Sequence, residues 1–143
     1  MKRLVVPPKT HSPAPNPVVV AVALLAAVAS GILLRFHLPV AEVIRDAAGG
    51  VAYVVAVALG LLLLCPRLSP FVYAALAFAI TCGVEFSQLI AHPWLDAIRA
   101  TRLARLARLA LGTTFSWTDF GPYVVGALLA WLVIRLLPRH SLP

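Results

Sequence analysis

The sequence predicts an all-α fold, a polytopic membrane protein with four transmembrane helices and an interfacial helix between the third and the fourth. Three observations support this prediction. Of the 143 residues, 62% are hydrophobic and only 12% are charged, about half the charged fraction of an average soluble domain. The mean hydropathy is +0.95, and a soluble domain of this length cannot bury that much apolar surface. The apolar residues also fall into four runs, each close to the roughly 20 residues that a helix needs to cross a bilayer.

The predicted spans begin and end at residues that interrupt a membrane helix. They cover residues 18–34, 47–65, 70–90 and 120–137. Pro39, Pro66, Pro93 and Pro138 follow the four spans in turn, and proline cannot continue the hydrogen-bond ladder of a helix. Pro70 opens the third span, where a missing N–H is tolerated because the first turn has no partner for that group. Between the second and third spans, Arg67-Leu68-Ser69 is predicted to form a tight turn.

The segments outside this transmembrane domain, residues 18–137, are expected to be short tails. Residues 1–17 contain three cations among five prolines and are predicted to be disordered, and residues 138–143 form the C-terminal tail. Within the domain, the mixed segment 40–46 is expected to be a short interfacial helix or loop. Ala27-Val28-Ala29 resembles a signal-peptide cleavage site. The apolar run continues past it, however, so the first span is expected to stay in the protein.

Residues 95–111 have a different character from the spans. They contain a three-residue repeat in which Arg-Leu-Ala occurs three times, starting at Arg102, Arg105 and Arg108. A period of three drifts by about 60° per step around a helix with 3.6 residues per turn, so the arginines spread around half of the helix. Their long side chains still reach the headgroup layer, and Trp94 and Trp117 on either side are typical interfacial anchors. We therefore predict an interfacial helix over residues 95–111.

The net charge of +7 indicates anionic lipid headgroups as partners, in addition to the bilayer itself. The cations lie at helix ends and in one loop, where they meet the membrane surface, and no motif of a nucleic-acid-binding module occurs, so no nucleic acid is expected. Lys and Arg number six on each side of the predicted topology, so the positive-inside rule does not decide the orientation. All five acids fall on the side of the loop between the third and fourth spans. This favours cytoplasmic termini, and the oligomeric state is left open.

Polar residues interrupt the apolar surface of the third and fourth spans. Glu85 and Gln88 are three residues apart and share a helix face, and an ionisable residue inside a span is a functional candidate because it is costly there. Arginines of the intervening loop are suitable partners for buried carboxylates. The predicted polar cluster, at one membrane level, consists of Glu85, Gln88, Asp96, Arg99, Arg102, Asp119 and Tyr123. It is either a ligand-binding site or a set of hydrogen bonds that holds the bundle together.

Small residues on the fourth span predict a close helix contact. Gly126 and Ala130 share a face with Asp119 and Tyr123, and residues of this size let neighbouring backbones approach closely in a membrane. The two cysteines, Cys65 and Cys82, are interpreted as small core residues.

The sequence carries no motif of a known catalytic or cofactor site. There is no Walker loop, dinucleotide fingerprint or nucleophile elbow, and Ser87 and Ser116 have no supporting pattern. Glu85, His92 and Asp96 lack the spacing of a zinc site, so neither a metal nor a cofactor is expected. A non-enzymatic role is favoured.

Several motifs follow one another in the second half of the chain. They are Glu85-Phe86-Ser87-Gln88, Pro93-Trp94-Leu95-Asp96-Ala97-Ile98-Arg99, Leu111-Gly112, and Phe115-Ser116-Trp117-Thr118-Asp119 with Tyr123 and Gly126. With these motifs, residues 18–137 resemble a bacterial family of small membrane proteins of unknown function that is distantly similar to VanZ-like proteins. The resemblance implies four spans in the bacterial inner membrane. VanZ-like proteins are associated with resistance to the glycopeptide teicoplanin, which implies a role in the cell envelope.

The chain departs from this family at two places. Gly49-Gly50 stands where the family tends to have Gly-Asp, so an expected acid is missing. The Arg-Leu-Ala repeat looks like an expansion, which puts the roles of Arg105 and Arg108 in question.

Three functions are compatible with these features. The leading hypothesis is a cell-envelope protein whose polar cluster binds a lipid-linked or anionic headgroup ligand, with Arg99 and Arg102 contacting the anionic groups and Glu85 and Gln88 orienting them. The alternative is a small proton-coupled transporter, or a subunit of one, with Glu85 as the proton carrier. The second alternative is an intramembrane enzyme acting on isoprenoid-phosphate lipids, for which the sequence offers no nucleophile or metal site.

Overall fold

The computed structural model describes residues 15–37, 41–89 and 115–138, and in these residues the protein is all-α with no β-strand. Helices α1 (Pro17–His37), α2 (Glu42–Leu64), α3 (Pro70–Ser87) and α4 (Phe120–Leu136) follow one another along the chain, and a short 3₁₀ turn, Trp117–Asp119, leads into α4. Each helix, α4 together with its 3₁₀ turn, is long and apolar enough to cross a membrane. The described part of the chain is therefore that of a multi-pass membrane protein, as the sequence predicts.

The helix bounds differ from the predicted spans mainly at α2. This helix begins at Glu42, five residues before the predicted start of the second span. The expectation of a separate interfacial helix or loop over 40–46 is therefore wrong for residues 42–46. No proline or glycine interrupts the backbone there, and a carboxylate in the first turn is favourable at the positive end of the helix dipole. The interfacial helix predicted over residues 95–111 lies outside the described residues.

Helices α2 and α4 run in parallel and pack closely. A Cβ added to Gly50 would lie 3.2 Å from the Cβ of Pro122, and one added to Gly126 would lie 2.8 Å from the Cβ of Val54. Position 50 of α2 thus lies beside the start of α4, and position 54 lies beside the middle of α4. The two helices therefore run in the same direction. The close approach predicted from Gly126 and Ala130 is confirmed for this helix pair, since both residues are buried.

Helix α2 lies at the centre of the bundle. It packs against α1, α3 and α4, and the buried residues from all four helices form one apolar core. Helix α1 contributes Val20 to this core and approaches α2 closely at Gly31, where an added Cβ would lie 3.2 Å from the Cβ of Ala52. Most of the rest of α1 is exposed, and in a membrane this surface faces lipid.

The predicted turn between α2 and α3 is tied down by a buried tyrosine. The hydroxyl of Tyr73 donates to the carbonyl of Cys65 and accepts from the backbone N–H of Leu68 at 3.0 Å. Ser69 caps α3 by accepting from the N–H of Val72, and Pro70 follows as the first helical residue. Cys65 is exposed, so its interpretation as a core residue is wrong. It lies just past the end of α2, where the chain leaves the bundle.

The two ends of the bundle differ in charge. At the polar end, where α2 and α4 begin and α3 ends, lie all the acidic residues that the structure describes: Glu42, Asp46, Glu85 and Asp119. At the basic end, where α2 and α4 end and α3 begins, the described charged residues are Arg67 and Arg135. The described acids thus all lie at one end of the bundle, together with Arg45, while the other end carries only cations among the described charged residues.

Candidate functional site

Glu85 is the centre of the candidate site at the polar end. It lies in the last turn of α3 and continues the buried stripe of Ala77 and Thr81, spaced by four residues, which a helix places on one face. The side chain is 1% exposed. A carboxylate buried this deeply must be hydrogen-bonded, because its desolvation is otherwise too costly.

Three donors from three parts of the chain surround this carboxylate. The backbone N–H of Ser116 donates to Oε1 at 2.9 Å. The hydroxyl of Tyr123 donates to Oε2 at 3.1 Å, and the side-chain amide of Gln88 donates to the same oxygen at 3.2 Å. All three partners are neutral groups, so within the described residues Glu85 is stabilised by hydrogen bonds and not by an ion pair.

Ser116 reaches Glu85 because it caps the 3₁₀ turn before α4. The first N–H groups of a helical segment have no partner inside the helix, and Glu85 from α3 accepts one of them. The hydroxyl of Ser116 forms a hydrogen bond of 2.6 Å with that of Thr118 in the same turn. The turn is thereby held against the end of α3 through a backbone group.

Asp119, at the end of this turn, brings a second carboxylate to the site. It is half-buried, and both Glu85 and Asp46 are close enough to interact with it electrostatically. Three carboxylates from α2, α3 and the start of α4 therefore converge at the polar end, and Glu85 is the buried one.

Four aromatic side chains lie beside the site and form what we call the aromatic cluster: Phe86, Phe115, Trp117 and Phe120. The Phe86 ring lies 5.4–6.2 Å from the other three, and Trp117 stacks on Phe120 at 5.6 Å. Such offset and edge contacts add about 0.5–1.5 kcal/mol per pair to the burial of the rings. Trp117 is nevertheless 71% exposed. The cluster thus joins the end of α3 to the start of α4 and presents an aromatic surface outward.

The structure brings together four of the seven residues predicted for the polar cluster. Gln88 and Tyr123 each donate a hydrogen bond to Glu85, and Asp119 is an electrostatic neighbour of Glu85 and Tyr123. The other three, Asp96, Arg99 and Arg102, lie outside the described residues.

The sequence prediction missed Ser116 and the aromatic cluster as parts of this site. Ser116 takes part through its backbone N–H, which every residue except proline has, so no residue pattern marks it. The aromatic cluster had a detectable signal, since Phe115, Trp117 and Phe120 lie within six residues of each other.

The donor set does not point to a metal centre. Among residues 15–37, 41–89 and 115–138, no group of three or more His, Cys, Asp or Glu side chains is arranged to hold a metal ion. The two cysteines are both free thiols, with Cys65 exposed and Cys82 half-buried.

Comparison with known proteins identifies one family. The sequence model of a family described as a protein of unknown function, DUF2809, matches residues 40–127. The match covers α2, α3, the site at the polar end and the first half of α4, while α1 lies outside it. No curated protein and no solved structure matches the chain.

Proposed function

The chain belongs to the protein family of unknown function DUF2809. We propose that it is a cell-envelope protein of the bacterial inner membrane that binds a lipid-linked or anionic headgroup ligand at its polar end. In this proposal Arg99 and Arg102 contact the anionic groups. Glu85 and Gln88 hold the site in place. The assignment to the envelope follows the resemblance to VanZ-like proteins and is part of the proposal.

The observation that carries the proposal is the position of the hydrogen bonds to Glu85. One donor, Gln88, comes just before the arginine-bearing segment 90–114, and another, Ser116, comes just after it. The described residues on both sides of this segment are therefore tied to one carboxylate. Fixed flanking residues favour binding by a segment, because each side chain that is immobilised on binding costs about 0.5–1.5 kcal/mol.

The charge of this segment indicates the class of ligand. Residues 90–114 contain four arginines and a single acid, Asp96. The guanidinium group binds phosphate through two parallel hydrogen bonds. The two helices that this segment connects in the chain, α3 and α4, meet at the polar end of the bundle, and in this proposal that end lies at the level of the headgroup layer. A phosphate carried by a lipid is therefore the favoured ligand chemistry.

Glu85 acts in this proposal as a positioning residue. Its two oxygens already accept three hydrogen bonds from the protein, and its side chain is 1% exposed. It thus has no surface to offer to a ligand. Its contribution is to align the end of α3 with the start of α4.

The test is the affinity of the purified full-length protein for polyprenyl monophosphate, measured by native mass spectrometry in a neutral detergent. The R99A/R102A variant is expected to lose roughly tenfold or more in affinity, because hydrogen bonds to charged groups contribute about 1.5–3 kcal/mol each. The matched control is R105A/R108A, which removes the same charge from the repeat and is expected to change the affinity by less than about threefold, the size of long-range surface electrostatics.

Two outcomes would contradict the proposal. If R99A/R102A binds polyprenyl monophosphate as tightly as the wild type, these arginines do not contact the ligand. If both double variants lose affinity equally, the segment attracts anions by net charge alone and there is no specific site.

A second function is favoured by one contact. The buried Glu85 carboxylate accepts a hydrogen bond of 3.1 Å from the Tyr123 hydroxyl, and acidic side chains inside membranes take part in the proton relays of pumps and transporters. In a proton-coupled transporter, or a subunit of one, Glu85 is the proton carrier. Proton flux into liposomes containing the wild-type protein and the E85Q variant separates the two functions, since only the transporter gives a flux that depends on Glu85.

A further inference from the structure

The basic end of the bundle has two exposed arginines, Arg67 and Arg135, each of which contacts neighbouring groups of the protein. Arg135, in the last turn of α4, lies over the ring of Trp131 with 5.3 Å between the guanidinium carbon and the ring centroid. A cation–π contact of this kind restrains the position of the guanidinium group, and its N–H donors can still bind an anion.

Arg67 is held by the turn between α2 and α3. Its backbone N–H donates to the carbonyl of Cys65 at 2.9 Å, and the buried Tyr73 hydroxyl bonds the turn on both sides of Arg67. The side chain itself is exposed. The backbone position of this cation is thus set by the fold, while its charge faces outward.

The charge at this end is not compensated by acids. All four acidic residues in the described part of the chain lie at the polar end, one helix length away. Exposed apolar side chains, Leu64 and Leu136, lie three residues before Arg67 and one residue after Arg135. The surface therefore combines cations at the ends of the helices with lipid-facing leucines directly beside them.

We propose that Arg67 and Arg135 form a binding surface for the phosphate of acidic phospholipids, in the leaflet that surrounds the basic end. An acidic phospholipid matches both features, since its headgroup phosphate meets the guanidinium groups while its acyl chains lie along the leucines. This surface is at the opposite end of the bundle from the site of the proposed function and is independent of it.

The test uses Trp131 as a local reporter of the neighbouring lipid. The chain has three tryptophans, so the W94F/W117F variant retains Trp131 alone, beside Arg135. This variant is reconstituted in phosphatidylcholine vesicles that contain either brominated phosphatidylglycerol or brominated phosphatidylcholine, because bromine quenches a nearby indole. The relative quenching at equal mole fraction gives the preference for the acidic lipid at this end.

We expect phosphatidylglycerol to be preferred at low salt, and R135Q to lower the preference by about fivefold, since one arginine at an anionic surface contributes about 1 kcal/mol. R67Q/R135Q is expected to abolish the preference, R135K to retain most of it, and high salt to weaken it by screening. The half-buried Arg45 at the polar end provides the matched control, R45Q, which is expected to leave the preference unchanged.

Equal quenching by the two lipids in the otherwise unchanged protein would overturn the inference, as would an equal loss of preference in R45Q and R135Q. The R99A/R102A variant, measured with the same reporter, is expected to keep the preference. A failure of the proposed function at the polar end is thereby distinguished from a failure at this surface.

Discussion

Glu85 illustrates how one buried charge can organise the end of a membrane bundle. Its carboxylate accepts hydrogen bonds from the side chain of Gln88 just past the end of α3, from the backbone N–H of Ser116 that caps the 3₁₀ turn, and from Tyr123 of α4. A hydrogen bond to a charged acceptor is about twice as strong as one between neutral groups. A single carboxylate therefore connects the end of α3, the 3₁₀ turn and α4 by directional hydrogen bonds, which apolar contacts alone do not provide.

At the residue scale, we predict that E85Q destabilises the protein by about 1–3 kcal/mol. Glutamine has the same shape, but its terminal NH₂ is a donor. It would face either the backbone N–H of Ser116, which can only donate, or Gln88 and Tyr123, which would then have to reorient from donating to accepting. The free energy of unfolding is measured by titration with sodium dodecyl sulfate in mixed micelles. Hydrogen exchange of the Ser116 amide is a local readout and is expected to accelerate.

The control for this prediction is Y123F, which removes one of the three donors and leaves the carboxylate in place. It is expected to cost about 0.5–1.5 kcal/mol, and the double variant to cost less than the sum, because both changes act on one contact. If E85Q has the same free energy of unfolding as the wild type and the Ser116 amide keeps its exchange rate, Glu85 does not hold the end of α3 to the start of α4.

At the scale of helices, glycine decides how α2 and α4 meet. The backbone of Gly126 packs directly against Val51 and Val54. A Cβ atom added to Gly126 would lie only 2.9 Å from the carbonyl oxygen of Val51, so there is no room for a methyl group. Membrane helices lack a hydrophobic driving force for association and depend on such close packing. The close packing of the parallel helices α2 and α4 thus depends on Gly126 having no side chain.

We predict that G126A destabilises the bundle by about 1–3 kcal/mol through overpacking, since the nearest atoms are backbone and Cβ atoms that cannot rotate away. The matched control is G83A in α3, where an added Cβ meets nothing within 4 Å. That variant is expected to be neutral or stabilising by up to about 1 kcal/mol, because alanine favours the helix. Thermal unfolding in detergent compares the two, and equal stabilities would contradict the close approach.

The start of α2 shows where residue patterns mislead at this scale. Glu42 and Asp46 suggest a polar connection, and the prediction placed the second span after them. In the structure they occupy the first turns of a continuous helix. A polar residue does not end a helix when it projects beyond the apolar layer and no proline or glycine breaks the backbone. Hydropathy therefore predicts the extent of the membrane-spanning segment and does not predict where the helix begins.

At the scale of the whole molecule, the bundle separates charge between its two ends. The described acids lie at the polar end, and the described cations of the basic end, Arg67 and Arg135, have none beside them. The cytoplasmic leaflet of a membrane carries anionic lipids that attract such cations. We therefore propose an orientation with the basic end, and with it the start of α1 and the end of α4, on the cytoplasmic side.

Cys65 provides the test of this orientation, because it is exposed at the basic end. In the C82A variant, a membrane-impermeant maleimide is expected to label Cys65 in inverted membrane vesicles and not in intact spheroplasts. The control places the thiol at the polar end, as E42C in a C65A/C82A background, and is expected to give the reverse pattern. Labelling of Cys65 from outside would place both termini in the periplasm.

Composition along the chain was enough to predict the all-α membrane class, the four candidate spans among the described residues and the helix that carries the buried acid. These properties depend on local composition, since about 20 apolar residues in a row have few stable arrangements other than a membrane helix. Glu85 was detectable for the same reason, as a charge in an apolar run.

What Glu85 does depends on tertiary contacts. Two of its three hydrogen-bond partners are 31 and 38 residues away in the chain, and one of these two is a backbone N–H with no side-chain signature. Which helices touch, and in what register, depends on the fit of Gly50 and Gly126 against particular atoms of their neighbours. Composition carries no information on such contacts, because they arise only when distant segments are packed together in three dimensions.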